Sequence, residues 1–259
     1  MSSFRTPVAL PDARSRRPGD DTRPELSIVM PVYNEGAVIA EVVASWLHEL
    51  ERLGIDCEFL VYDDGSRDET RRILERLEEG RPGLVVTSQA NSGHGPTILR
   101  GYHEARGEWV FQVDSDDEMG AEHFAGLWEQ REGYDLLVGR RHHRDSPLAR
   151  RLITTLSRVT VWALFGRAVT DVNAPYRLMR RSCLAVLLSA IPAETFAPNV
   201  IISGLAARQG LRVLEVSVPH SGRRTGTVSI VKWRLWKSAV RAFGQTLAVA
   251  LRARGRRWR

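Results

Sequence analysis

The stretch FQVDSDDEM, residues 111–119, places Asp114, Asp116, Asp117 and Glu118 within five positions, directly after a short apolar run. Like charges at such spacing repel, so a fold does not crowd carboxylates for stability. Oxygen donors spaced D-x-D at a strand end suit a hard divalent cation, Mg2+ or Mn2+, which commonly shares its shell with substrate phosphates. A solvated acidic turn, or a charge cluster at a helix N-terminus, is the other reading.

The elements that must position these acids are legible in the hydrophobic pattern. Apolar runs at 26–32, 57–62, 83–89 and 108–113 predict four strands, each closed by a polar loop. Helical spacing marks 37–53, 69–79 and 97–107 as the helices between them. Strands that are apolar almost throughout belong to a parallel sheet covered on both faces. Ligands in such sheets bind beyond the carboxyl ends of the strands. YNE (33–35), DDGS (63–66), NSGHG (91–95) and DSDDE (114–118) all lie at such ends, so they are expected to converge on one crevice. Asp68 is expected to cap the second helix. The second half predicts strands at 134–139, within 170–181 and at 211–218, with helices at 147–166, 182–190 and 196–208.

Composition bounds the function. A chain of 259 residues with 43% hydrophobic content supports one substantial core. No run of about 18 apolar residues is present, and the N-terminus has no apolar signal-peptide core. Cys57 and Cys183 make no disulfide framework. These features point to a reducing cytoplasm. The net charge of +6 is uneven: Ile230–Arg259 holds nine Lys or Arg and no acid, which leaves the rest of the chain at −3. The basic tail could meet nucleic acid, but the sequence carries no recognition motif and its body is acidic, so nucleic acid is the weakest partner. The expected organisation is a flexible leader at 1–24, a folded domain at 25–229 and a basic amphipathic helix and tail at 230–259.

SIVMPVYNE, YDDGSRDET, NSGHGPTILRG and VDSDDE, in this order, resemble glycosyltransferase family 2. The resemblance runs from about residue 25 to about residue 230. It implies the α/β GT-A fold, with a mainly parallel central sheet covered by helices. LLVGRR, DVNAPYRLMRR and RRTGTVS are similar to a narrower branch, the polyprenyl-phosphate transferases of the dolichyl-phosphate mannose synthase type. By this resemblance Pro31, Tyr33 and Glu35 border a nucleotide-sugar, GDP- or UDP-linked. Asp64 bonds the base and Asp114 lies near ribose and diphosphate. Asp114, Asp116 and Glu118 form the metal set, with Glu118 where relatives often carry Gln. His94 stands where many relatives carry Lys, and Asp117 is a solvated neighbour.

A lipid-phosphate acceptor calls for arginines, whose planar fork matches phosphate oxygens. The resemblance assigns Arg140 and Arg151, with Thr155 one turn on, to the acceptor phosphate. It places Arg223 on a loop that closes over the donor diphosphate. Arg177 is a further candidate, although the Ser-Gly pair common before it in relatives is absent. The family inverts the anomeric centre in one displacement. A phosphate monoester, with a second pKa of about 6, is already nucleophilic at neutral pH and needs no dedicated base. A saccharide hydroxyl would need one, with Asp117 or Asp171 as candidates.

The C-terminal stretch puts Trp236, Val240, Phe243, Leu247 and Leu251 on one helical face and Arg234, Lys237, Arg241 and Arg252 on a neighbouring one. That pattern suits an anionic membrane surface. It equally suits a helix packed on the domain.

Overall fold

A computed structural model describes residues 23–142, 148–166, 171–219 and 232–253. The leader and the loop carrying Arg223 lie outside the described residues. The first three strands are β1 (Leu26–Val32), β2 (Cys57–Asp63) and β3 (Leu84–Ser88). Next come β4 (Trp109–Gln112), β5 (Leu136–His142), β6 (Arg177–Arg180) and β7 (Val213–Pro219). They form one sheet in the order β3-β2-β1-β4-β6-β5-β7. Every residue of β1, β2 and β4 is buried, as their mainly apolar character favours, with Ser27, Glu58, Asp63 and Gln112 as buried polar exceptions.

β1 pairs in parallel with both β2 and β4, while the chain runs outward from β1 to β2 and β3 on one side. The winding therefore reverses between β1 and β4, which opens a crevice beyond their carboxyl ends. β6 alone runs the other way, antiparallel to β4 and to β5, and β7 pairs in parallel with β5. The sheet is thus mainly parallel, with one reversed strand that apolar periodicity did not reveal.

Helices α1 (Ile39–Leu53), α2 (Thr70–Glu78) and α3 (His94–Glu104) connect the first strands. α4 (Phe124–Glu129), preceded by a 3-10 turn, was not expected from the sequence. α5 (Leu148–Phe165), α6 (Arg181–Leu188), α7 (Pro198–Gln209) and α8 (Lys232–Arg252) complete the fold. Strand alternation splits the core. Ile28, Met30, Phe59 and Phe111 face the α1 side, and Val29, Tyr62 and Val110 face the side of α3, α6 and α7. On the α1 side Trp46, Phe111, Phe124 and Tyr176 stack with centroids 4.7–6.0 Å apart, in the tilted and edge-on geometries that aromatic quadrupoles favour. α3 sits so close to β1 that a Cβ on Gly101 would lie 2.3 Å from Val29 Cγ1.

α8 packs on α5 and α7. Thr246, Val249, Ala250 and Ala253 are its buried face. Val240, Phe243 and Leu251, from the apolar stripe expected in the sequence, remain exposed.

Candidate functional site

Four loops at the carboxyl end of the sheet are sewn together in chain order. Backbone N–H groups of Asn34, Glu35 and Gly36 donate to Ser66 Oγ (2.9 Å), Thr70 Oγ1 (2.9 Å) and Asp68 Oδ2 (3.1 Å). Arg67 N–H returns a bond to Asn34 Oδ1 at 2.8 Å. Asp68 also accepts at 3.0 Å from the N–H of Thr70, the first residue of α2, and so latches the helix start to the YNE loop, while the N-cap position itself is Glu69, without a side-chain cap bond. Burial works to raise the Asp68 pKa, but the bonds from Thr70 and Gly36 prevail and hold it below the usual carboxylate range.

Asp64 joins the second loop to the third. Its Oδ1 accepts from Ser92 N–H (2.8 Å) and Gln89 Nε2 (2.8 Å), and its Oδ2 accepts from Gly93 N–H (2.8 Å). Asn91 Nδ2 donates to the Asp64 carbonyl at 2.8 Å. Asp64 is therefore a loop organiser here, a role the turn-like DDGS motif did not disclose. Gly95 lies against the 192–197 segment, where a Cβ would meet the Thr195 carbonyl oxygen at 2.2 Å. That backbone approach requires a glycine here.

The third loop reaches the acidic loop through His94, whose Nε2 lies 3.0 Å from Asp114 Oδ1. The same oxygen accepts from Gln112 Nε2 at 3.0 Å. Asp114, Asp116, Asp117 and Glu118 are all half-buried, and Asp116 Oδ1 accepts from Glu118 N–H at 3.3 Å. Asp117 holds φ at +55°, a left-handed conformation that Asp adopts more readily than most side chains. This all-oxygen donor set fits Mg2+ or Mn2+ in type. Among the described residues no three acidic, His or Cys side chains form a ready cage. Of the other donor-side candidates, Pro31 is buried at the end of β1, Glu35 is half-buried and Tyr33 is exposed.

Desolvation lowers the His94 pKa, but the contact with Asp114, with Asp116 and Asp64 behind it, outweighs this and holds the pKa above the ordinary value. In the metal-free protein the charged pair stabilises the fold below about pH 6.5, the unfolded imidazole value. That contribution disappears as pH rises through the folded pKa. An NMR titration of the His94 ring should show a midpoint above that of free histidine, and Asp114→Asn should lower it. A wild-type midpoint at or below the free value would contradict the pairing.

The acceptor candidates are less tightly gathered. Arg140 is exposed near the carboxyl end of β5, and α5 carries Arg151 and an exposed Thr155 one turn apart. Arg177 is not a phosphate ligand, because it is fully buried. Its guanidinium donates to the carbonyls of Ala174 (2.9 Å), Asn199 (3.2 Å) and Val172 (3.3 Å). Asp171 is buried as well, beside the segment that Arg177 braces.

Glycosyl transferase family 2 matches residues 27–188, most of the sheet and all four sewn loops. The chain belongs to that family. Family 2 relatives include an undecaprenyl-phosphate 4-deoxy-4-formamido-L-arabinose transferase of Pseudomonas fluorescens SBW25, 30% identical over 81% of this chain and 61% of its own length. The protein of the same name from Proteus mirabilis HI4320 is 27% identical over 78% of this chain and 61% of its own length. The chain spans about three fifths of the length of these relatives. Glucosyl-3-phosphoglycerate synthase of Mycobacterium tuberculosis, solved with Mn2+, UDP and glucosyl-3-phosphoglycerate, superposes with a TM-score of 0.63 at 20% identity, covering 88% of this chain and 80% of that one. Mannosyl-3-phosphoglycerate synthase of Rubrobacter xylanophilus gives 0.64 at 16% identity, covering 90% and 75%. These likenesses establish the GT-A fold of this family 2 domain.

Proposed function

We propose that this domain transfers a sugar from a nucleotide diphosphate donor, GDP- or UDP-linked, to a polyprenyl phosphate at the cytoplasmic face of a membrane, with inversion. The observation that carries the reading is the sewn set of four loops, which gathers Pro31, Tyr33, Glu35, Asp64, Asp114, Asp116 and Glu118 at the switch point between β1 and β4. The polyprenyl acceptor is favoured by the relatives' names and by the absence of any need for a base when the nucleophile is a phosphate.

Asp116 and Glu118, with Asp114, would hold Mg2+ or Mn2+. The ion, when bound, stabilises negative charge on the departing diphosphate. Tyr33 and Glu35 border the nucleoside, and Asp64 keeps the 91–93 loop in place beneath it. Arg140, Arg151 and Thr155 receive the acceptor phosphate, and Arg223, outside the described residues, closes on the donor. The decisive assay supplies polyprenyl phosphate, Mn2+ or Mg2+ and a panel of labelled UDP- and GDP-sugars, then counts label in the organic phase. One sugar partitioning into lipid supports the reading. Nucleotide binding with label only on a soluble saccharide would replace it with a hydroxyl acceptor.

Membrane contact is proposed through α8 and its neighbour α5. Val240, Phe243 and Leu251 on α8, and Val159 and Trp162 on α5, are exposed. Lys237, Arg241 and Arg252 are exposed on α8 too, as an anionic interface requires. Among the described residues no helix is long and apolar enough to cross a membrane. Deleting α8 would uncover core contacts of Val249 and Ala250, so surface substitutions are the cleaner probe. Trp162→Ser with Phe243→Ser should reduce sedimentation with phosphatidylglycerol vesicles severalfold, at a stability change within about 1 kcal/mol. Unchanged sedimentation would refute membrane contact through this surface.

A further inference from the structure

We propose that Gln112, Asn199 and Tyr102 form a buried polar clamp that positions Asp114, so that α7 sets the geometry of the donor-site carboxylate. The inference rests on the donor reading above and adds three residues to it. Gln112 occupies the last position of β4 and is fully buried, as Val110 is two residues earlier. An aliphatic side chain there would extend the core without cost. A buried amide is tolerated only when its polar atoms are satisfied.

They are satisfied in a way that fixes direction. Gln112 Oε1 accepts from Asn199 Nδ2 at 2.7 Å and lies 3.1 Å from the Tyr102 hydroxyl. The hydroxyl also lies 3.0 Å from Asn199 Oδ1, so its single proton is shared within a closed triangle. With the donors grouped around Oε1, the Gln112 amide cannot flip, and Nε2 must face Asp114 Oδ1 at 3.0 Å. Asn199 is anchored in turn: its carbonyl accepts from Arg177 Nη1 (3.2 Å) and from Ser203 Oγ (2.8 Å). Gln112 and Asn199 are 87 residues apart, so the clamp spans both halves of the fold. Asp114 Oδ1 is thereby held between the buried amide and His94, which sets the plane of the carboxylate and the direction of its second oxygen. Partners of this kind, one step behind a metal ligand, typically change metal affinity 10–100-fold when removed.

The test is Mn2+ binding to the full chain, followed by EPR with saturating UDP and, separately, saturating GDP. Gln112→Met keeps the volume and removes the amide, and it should weaken Mn2+ binding by about tenfold or more. Asn199→Leu should weaken it as well, and in the Gln112→Met background it should add nothing, because it acts through that amide. Melting temperatures should fall further in the double variant, which separates positioning from mere packing. Unchanged Mn2+ affinity in folded Gln112→Met, or a further loss on adding Asn199→Leu, would overturn the clamp while leaving the donor reading intact. Wild-type protein that binds Mn2+ with neither nucleotide would overturn both. Should the amide variants fail to fold, Tyr102→Phe, which keeps the ring, must reduce Mn2+ affinity severalfold; an unchanged value there also overturns the clamp.

Discussion

Asp116→Ala is expected to lower the rate of sugar transfer at least about a thousandfold, close to 4 kcal/mol of transition-state stabilisation. A departing nucleotide diphosphate gathers negative charge, and the ion that Asp116 would help to hold is its main neutraliser. The fold should barely register the change. Asp116 Oδ1 accepts from Glu118 N–H at a long 3.3 Å, and removing one acid from a crowded loop relieves repulsion among the rest. Circular dichroism melts should therefore match wild type within a few degrees while the organic-phase label disappears. Asp117→Asn serves as the internal comparison: Asn tolerates the left-handed backbone at this position, Asp117 is read as a solvated neighbour, and the transfer rate should stay within a few-fold of wild type. Equal losses at both positions would remove the special role of Asp116.

Arg177→Met is expected to cost about 3–5 kcal/mol of stability, the range for disrupting a buried charged network. The guanidinium is completely shielded from solvent and serves the carbonyls of Val172, Ala174 and Asn199 from three different nitrogens. Methionine fills the stem volume but leaves those carbonyls short of donors. For a domain of this size, each kcal/mol shifts the melting point by roughly 2–4 °C, so a fall of about 10 °C should appear by calorimetry. Arg177→Lys should recover little, because one ammonium cannot replace a planar fork reaching three separated acceptors. A melting point within about 2 °C of wild type in Arg177→Met would show that the carbonyls find other partners.

The donor half of the site was readable because its chemistry is local. Acids, glycines and turn residues sit next to the strands that carry them, so finding the strand ends located YNE, DDGS, NSGHG and DSDDE together. What escaped was set by contacts between distant segments. Nothing in DDGS tells that the Asp64 oxygens also take up the amides of Ser92 and Gly93. Gln112 read as the polar end of an apolar run, since its partner Asn199 lies in another helix. Arg177, after Pro-Tyr, was a candidate for the acceptor phosphate, but it is buried on β6, in register with Gln112. The C-terminal stripe was identified correctly as a face. The small residues Ala250 and Ala253, too modest to dominate an apolar pattern, turned out to dock α8 instead.

The reversal of β6 has a consequence for how such domains diversify. β5 leaves the sheet at His142 and the chain returns at Arg177, on the neighbouring strand and at the same end. The two strands meet in a neck where Gly139 N–H donates to the Tyr176 carbonyl at 2.7 Å. Among the described residues of the excursion between these two strands is α5, which packs on α7 and α8. Lengthening such an excursion is inexpensive, since doubling a closed loop costs only about 0.6 kcal/mol in closure entropy. What a replacement must reproduce is the neck and a face that fits α7 and α8. On the proposed function, the donor loops would be a fixed chassis and the α5 segment an exchangeable cartridge for the acceptor, provided that a replacement also keeps the Val172 and Ala174 carbonyls that Arg177 braces.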